Sequence, residues 1–320
     1  MASSNPIRTK ILFAATLLVA FVVLGLWQRH LLLFSPWSQG EPPPLLEAQA
    51  EISPGSYWFD DYFLVEPIDE RTFAIGEPLY AQQNYSYLIL GDDAAILFDA
   101  GPGYRDIRPV TRALTKLPIT FIPSHFHFDH IGNEITFDTV AVPDLPFLRE
   151  RAPDNSLELT WQEHLGSSEG IAAPTLEVDE WLALDSILDL GERRLQVVYT
   201  PGHTEDSISL LDLENGALFS GDFLYPGNLY AFLPTSNMGS YLEGAETVLE
   251  RIRSSAPIYG AHRGPEAVIP RLEMEDIEDL RESLIKIRDR ELTGIGVYPV
   301  SYPVNARLNI LAEPRPLQRW

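Results

Sequence analysis

Three of the seven histidines in this chain fall within six residues, in the run Ser124-His125-Phe126-His127-Phe128-Asp129-His130. Four side chains able to bind a metal thus fall within six residues, with one apolar residue after each of the first two. Imidazole and carboxylate together are the donors that a borderline cation such as Zn²⁺ or Fe²⁺ selects. The apolar run before them, from Ile119 to Pro123, reads as a short buried strand. The cluster therefore sits on the loop leaving a strand end, where α/β folds place their chemistry.

Further donors follow the same local grammar of apolar strand, small or turn residues, then one His or Asp. Leu195 to Tyr199 leads into Thr200-Pro201-Gly202-His203-Thr204. Leu218-Phe219-Ser220 ends in Gly221-Asp222, and Ile258-Tyr259-Gly260-Ala261 ends in His262. Small residues at these positions let the backbone approach closely, which suits a site where several strands converge. Singly each motif is weak; the ordered set is specific.

With Ile96-Leu97-Phe98-Asp99-Ala100-Gly101 added, these motifs resemble the metallo-β-lactamase superfamily over residues 56 to 265. The resemblance implies a four-layer αββα sandwich and two divalent metal ions, Zn²⁺ in the first instance, with Fe or Mn as alternatives. It implies that His125, His127 and His203 hold one ion and that Asp129, His130 and His262 hold the other. Asp222 would bridge them, and Asp99 would support the ligand loop from outside. Two cations lower the pKa of a bridging solvent from ~15.7 toward roughly 7, so attack by a metal-bridging hydroxide on an acyl ester is the implied chemistry. True β-lactamases of the superfamily generally lack an aspartate equivalent to Asp222, whereas glyoxalase-II-like thioesterases and lactonases have one. Besides Asp129 and Asp222, the implied catalytic group is Tyr225, three residues after Asp222. It is similar to the tyrosine that hydrogen-bonds the substrate carbonyl in acyl-homoserine lactonases. Phe137 to Val142, Leu157 to Trp161 and Leu233 to Tyr241 resemble the acyl-CoA-thioesterase-like branch and favour a thioester over a lactone. A di-iron redox protein of the same fold is the reading from another class, and it lacks the flavin domain such proteins need.

The formal net charge of −23 disfavours nucleic acid as a partner, since a polyanion requires a Lys/Arg surface. With no cysteine, disulfides and thiolate ligands are excluded. A small-molecule acyl substrate is the expected partner, and the oligomeric state is left open. For an anionic substrate the chain's own positive charge near the site is confined to Arg263, which on sequence reads better as a surface ion pair. His164 reads as a solvated or capping residue and His30 as lying outside the site.

Along the chain, residues 1–35 read as a cytoplasmic N-terminus and an uncleaved signal-anchor helix. The uncharged run Ile11 to Trp27 is about 17 residues long, the short limit for a ~30 Å hydrocarbon core. Arg8 and Lys10 before it set a slight positive-inside bias, which places the enzyme outside the cytoplasm, in a periplasm or lumen. Residues 36–55 carry Pro36, Pro42, Pro43, Pro44 and Pro54 and read as a semi-rigid spacer off the bilayer. Residues 56–265 form the catalytic domain. Strands are expected over 57–65, 71–75, 85–90 and 95–99, with a helix over 107–117. A second half repeats the idea, and residues 266–320 supply a helix over about 273–292 and a tail packed on the domain.

Overall fold

The computed structural model describes residues 6–34, 40–47, 52–132, 137–253, 255–263 and 269–320, with side chains from residue 13 onward. The chain folds as a mixed α/β sandwich of two large sheets. One has eight strands in the order 57–58, 64–69, 72–76, 85–90, 95–98, 119–122, 139–143 and 180–182. It is antiparallel up to Ala95–Phe98 and parallel beyond. The other has six strands in the order 187–189, 194–199, 208–212, 218–221, 258–260 and 271–272.

Covering both faces of each sheet explains why the strands read as near-continuous apolar runs. Side chains alternate across a strand, so a strand buried on one face only would alternate with polar residues. In Tyr85–Leu90, the side chains of Tyr85, Tyr87 and Ile89 enter the core between the sheets, where they join Phe98, Val197, Leu210 and Phe219. Leu88 points the other way, into the outer core with Leu97, Phe121 and Val110 of the helix Arg108–Leu114. On the far side, helices Met238–Arg251 and Met274–Arg288 cover the six-stranded sheet with Tyr241, Ala245, Val248, Ile277, Leu280 and Leu284. Asn237 caps the first of these helices, its side chain accepting the Gly239 and Ser240 N–H groups.

Two expected boundaries differ for identifiable reasons. The strand expected over 57–65 is broken, because the Asp60 carboxylate accepts the N–H groups of Tyr62 and Phe63 and turns the chain. The last helix stops at Arg288 rather than near 292. The tail forms strands Val300–Pro303 and Leu308–Ala312, and the latter pairs in parallel with Gly227–Ala231.

The expectation of a single-pass transmembrane anchor, and with it a membrane-bound extracytoplasmic enzyme, is not upheld. Among the described residues no helix is long and apolar enough to cross a membrane. The N-terminal helix Pro6–Trp27 includes Arg8 and Lys10 in its first turns. Its uncharged remainder rises only ~25 Å at 1.5 Å per residue, short of a ~30 Å hydrocarbon core. A second short helix, Arg29–Phe34, follows and lies on the sandwich. His30 Nε2 lies 3.0 Å from the Phe232 carbonyl, and Arg29 Nε donates to Glu313 at 2.7 Å. The proline-rich residues expected as a spacer lie partly outside the described residues. Those described are also in contact with the body, Gly40 N donating to Ser167 O and Leu46 N to Leu79 O.

One buried ion pair ties the two sheets together at the end away from the histidines. Arg193 donates to Asp212 at 2.6 and 2.9 Å and to the Thr72 hydroxyl at 2.9 Å, and both charged side chains are almost fully buried. Removing one partner leaves an uncompensated buried charge. Asp212→Ala is therefore expected to lower unfolding free energy by ~3–5 kcal/mol in urea titrations, whereas the double change Arg193→Met/Asp212→Leu costs far less.

Candidate metal centre

Each donor of the site stands just past the end of a strand, where side chains from both sheets can meet. Asp99 follows Ala95–Phe98, and the histidine cluster follows Ile119–Ile122. His203, Asp222 and His262 follow Arg194–Tyr199, Leu218–Gly221 and Ile258–Gly260. The sheets are stitched together at this point. Ile208 N donates to Ser124 O at 2.8 Å, and Tyr85 N donates to Ala261 O at 2.7 Å. Gly221 has φ +53°, and a Cβ there would lie 2.4 Å from the Ser124 side chain. Only glycine lets the strand carrying Asp222 pass so close to the histidine loop.

The seven expected donors come together in two adjoining groups. His125, His127, His203 and Asp222 form one, and Asp129, His130 and His262 the other, with the candidate ligand atoms of each group within 4.8 Å of one another. His127 Nδ1 is 2.8 Å from His125 Nε2 and 3.0 Å from His203 Nε2. Asp222 lies between the groups. Its Oδ2 is 3.4 Å from His203 Nε2, while its Oδ1 is 3.0 Å from His262 Nε2 and 3.4 Å from His130 Nε2.

The far side of most rings is held, which fixes what the near side offers. His203 Nδ1 meets the Tyr230 carbonyl at 2.8 Å, His262 Nδ1 the Gln82 carbonyl at 2.9 Å, and His130 Nδ1 the Asp99 carboxylate at 3.0 Å. Acceptors there place the proton on Nδ1 and leave a lone pair on each Nε2. Those lone pairs face one another and the Asp129 and Asp222 carboxylates in a buried pocket. Between the rings His262 Nε2 meets Asp222 Oδ2 at 3.1 Å, but His130 Nε2 is buried with no hydrogen-bond partner among the described residues. Divalent cations placed among these donors would satisfy the whole set, so the residues fit the metals that the fold implies.

The electrostatics divide the histidines into two sets. Burial, reinforced by the neighbouring imidazoles, pushes His125 and His127 well below the usual histidine range and lowers His203 as well, keeping them neutral as ligands must be. At His130 and His262 burial also opposes the charged form, but Asp222 and Asp129 outweigh it and raise both. Burial alone would raise Asp222; His262 and His130 instead pull it well below the usual carboxylate range.

Four supporting groups carry no signature in the sequence, because each acts from a distant part of the chain. Asn84 Nδ2 donates to Asp129 O at 2.8 Å and Asp129 Oδ2 at 3.1 Å. The carbonyls of Gln82 and Tyr230 hold the two histidines just named. Asp206 Oδ2 accepts Phe126 N–H at 2.9 Å and so pins the histidine loop from one side, as Asp99 Oδ1 does from the other through Ser124 N–H at 2.6 Å. Other expectations are revised. His164 is buried beside Phe128 rather than solvated, and burial lowers its pKa to about 4. Arg263 is buried and lines the cavity over the donors rather than lying on the surface. Tyr225 lines it too, 5.0 Å from the His262 ring, but its hydroxyl donates to Asn228 O. That cavity encloses about 810 Å³, with Phe34, Phe128, Leu165, Leu233 and Tyr230 among its walls, together with Arg307 and Asn309.

Residues 79–291 match the model of the metallo-beta-lactamase superfamily. The chain belongs to the metallo-beta-lactamase superfamily. Among similar proteins, acyl-coenzyme A thioesterase MBLAC2 of Gallus gallus is 28% identical over 212 residues, covering 60% of this chain and 76% of that protein. Hydroxyacylglutathione hydrolase of Xylella fastidiosa is 31% identical over 167 residues, covering 49% of this chain and 53% of that protein. A solved metallo-beta-lactamase from Pontibacter korlensis is alike in fold, with TM-score 0.51 at 17% identity over 70% of this chain and 99% of that one. Family and donor geometry together make this chain a metal-dependent hydrolase of the superfamily.

Because the Asp206 carboxylate supports the loop from outside, Asp206→Ala is expected to weaken metal retention ~10–100-fold, read as metal content after dialysis against graded chelator. Burial pushes Asp206 up to about 7, so much of it is neutral near that pH and an amide is a fair mimic. Asp206→Asn is accordingly expected to retain metal.

Proposed function

We propose that this superfamily member hydrolyses acyl thioesters, using two divalent cations, with Zn²⁺ the expected metal. One observation carries the reading. Asp222 lies between two donor groups that open onto one cavity, part of whose wall is apolar, with Phe34, Phe128, Leu165 and Leu233. The apolar part of the wall suits an acyl chain. The resemblance to a protein named as an acyl-coenzyme A thioesterase supports the same substrate class.

His125, His127 and His203 would hold one cation, Asp129, His130 and His262 the other, and Asp222 both. When bound, the pair supplies Lewis acidity, polarising a carbonyl and acidifying water. The chain's own part is positioning. Tyr230, Gln82 and Asp99 fix the ring tautomers, and Asn84 orients Asp129. Phe128, Leu165 and Leu233 exclude bulk water around the carbonyl. Net reaction adds water across the thioester C–S bond, giving a carboxylate, a thiol and a proton. Tyr225 acts as a wall, since its hydroxyl proton is committed to Asn228, and a lactone-type role for it loses its geometric support.

Chelation is expected to abolish thioester hydrolysis and Zn²⁺ to restore it, with His127→Ala and Asp222→Ala nearly inactive in both conditions. Full activity after exhaustive chelation would overturn the reading. Assayed side by side at equal concentration, an acyl-CoA is expected to be turned over faster than an acyl-homoserine lactone; the reverse order would favour the lactonase. Tyr225→Phe is expected to change kcat by less than about threefold, whereas loss of a true oxyanion donor costs ~10²–10³-fold.

A further inference from the structure

The N-terminal segment reaches the catalytic cavity. Phe34, the last residue of the short helix Arg29–Phe34, lines the same space as His127, Asp129, His203, Asp222 and His262. We propose that this segment is part of the substrate site, and that Phe34 is the specificity-determining wall against which the substrate's apolar chain lies. The proposal deepens the thioester reading and rests on it for the identity of the head group.

Several independent contacts hold the segment in place. Glu313 is a buried carboxylate at the end of the strand Leu308–Ala312, and its Oε1 meets Arg29 Nε at 2.7 Å and His30 Nε2 at 2.9 Å. His30 Nε2 also lies 3.0 Å from the Phe232 carbonyl, and Ser167 Oγ donates to the Phe34 carbonyl at 2.9 Å. The Phe34 ring lies 6.4 Å from the Phe232 ring, in the range of an aromatic contact. Glu313 thus gives the docked segment a charged anchor on the body of the protein.

The anchor and the metal ligands share one stretch of backbone. The Tyr230 carbonyl holds His203, and two residues on the Phe232 carbonyl meets His30. The apolar wall therefore stands at a fixed place relative to the donors. With Phe34 joined by Phe128, Leu165, Leu233 and Tyr230, the cavity carries an apolar lining drawn from four distant parts of the chain. A wall of this kind reads the length of an acyl chain and leaves the reacting carbonyl alone.

The test measures binding and turnover on the full metal-loaded chain for wild type, Phe34→Ala and Phe34→Trp. Binding is followed by calorimetry with non-hydrolysable S-alkyl thioethers of coenzyme A and with free fatty acids, each at chain lengths of about 4, 8, 12 and 16 carbons. In Phe34→Ala, affinity for the longer chains is expected to fall ~10-fold while the shortest changes less than about twofold, as loss of apolar contact requires. Phe34→Trp, which narrows the space, is expected to shorten the longest chain accepted and serves if the alanine variant misfolds. Unaltered melting temperature and metal content in at least one variant separate the wall from a folding effect.

An equal loss at every chain length, no change at any length, or no binding of any chain by wild type would overturn the proposal. If chain-length selection through Phe34 holds in binding but no acyl thioester is turned over, the wall stands and the thioester reading falls. If thioesters are hydrolysed with the same chain-length profile in all three proteins, the reverse is true.

Discussion

The arrangement on which everything else depends is a set of imidazole lone pairs and carboxylate oxygens facing one another inside the protein. Without a positive charge among them the facing lone pairs repel, and burial in a low-dielectric interior strengthens the repulsion. The surrounding structure spends its best hydrogen bonds keeping it assembled. The Asp99 carboxylate grips both the Ser124 amide and the His130 ring, and Asp206 grips the Phe126 amide between two ligands. Backbone carbonyls from two different segments set the tautomers of His203 and His262. A fold that holds donors apart from water in this manner is organised around cations.

The sandwich makes this feasible because every donor needs the same thing, a rigid strand that stops at one edge. The two sheets share an apolar core and are joined across the site by the amides of Ile208 and Tyr85. Far from the site the Arg193–Asp212 pair joins them again. Between these fixed points the loops can carry chemistry without the sheets shearing. The C-terminal strand Leu308–Ala312 adds to the frame by pairing with Gly227–Ala231, the strand whose Tyr230 carbonyl holds His203.

The seven side chains that the fold gathers are legible in the sequence because each belongs to a short local motif, and the motif fixes its place at a strand end. Asp99 was legible as a support for the same reason. The groups that hold the ligands from a distance were not. Asn84 lies 45 residues from Asp129, and Asp206 lies 80 from Phe126, with nothing local to mark either contact. At Arg263 and His164 charge and polarity point toward the surface, whereas the fold buries both. The apolar N-terminus differs from its sequence expectation for another reason. Hydropathy records that a run avoids water, and the question of a membrane span turns on length and on the charges at Arg8 and Lys10. The short helix after it had no periodicity to announce that it docks through Arg29 and His30.

Anomalous diffraction at the zinc absorption edge, from crystals of the full chain grown with Zn²⁺, tests the central claim most directly. The account predicts two peaks in the buried pocket. One lies ~2.0–2.2 Å from donors of His125, His127 and His203, the other at the same distance from Asp129, His130 and His262, and Asp222 touches both. A single peak, or zinc bound only at surface carboxylates with the seven side chains retaining their present contacts, would contradict it.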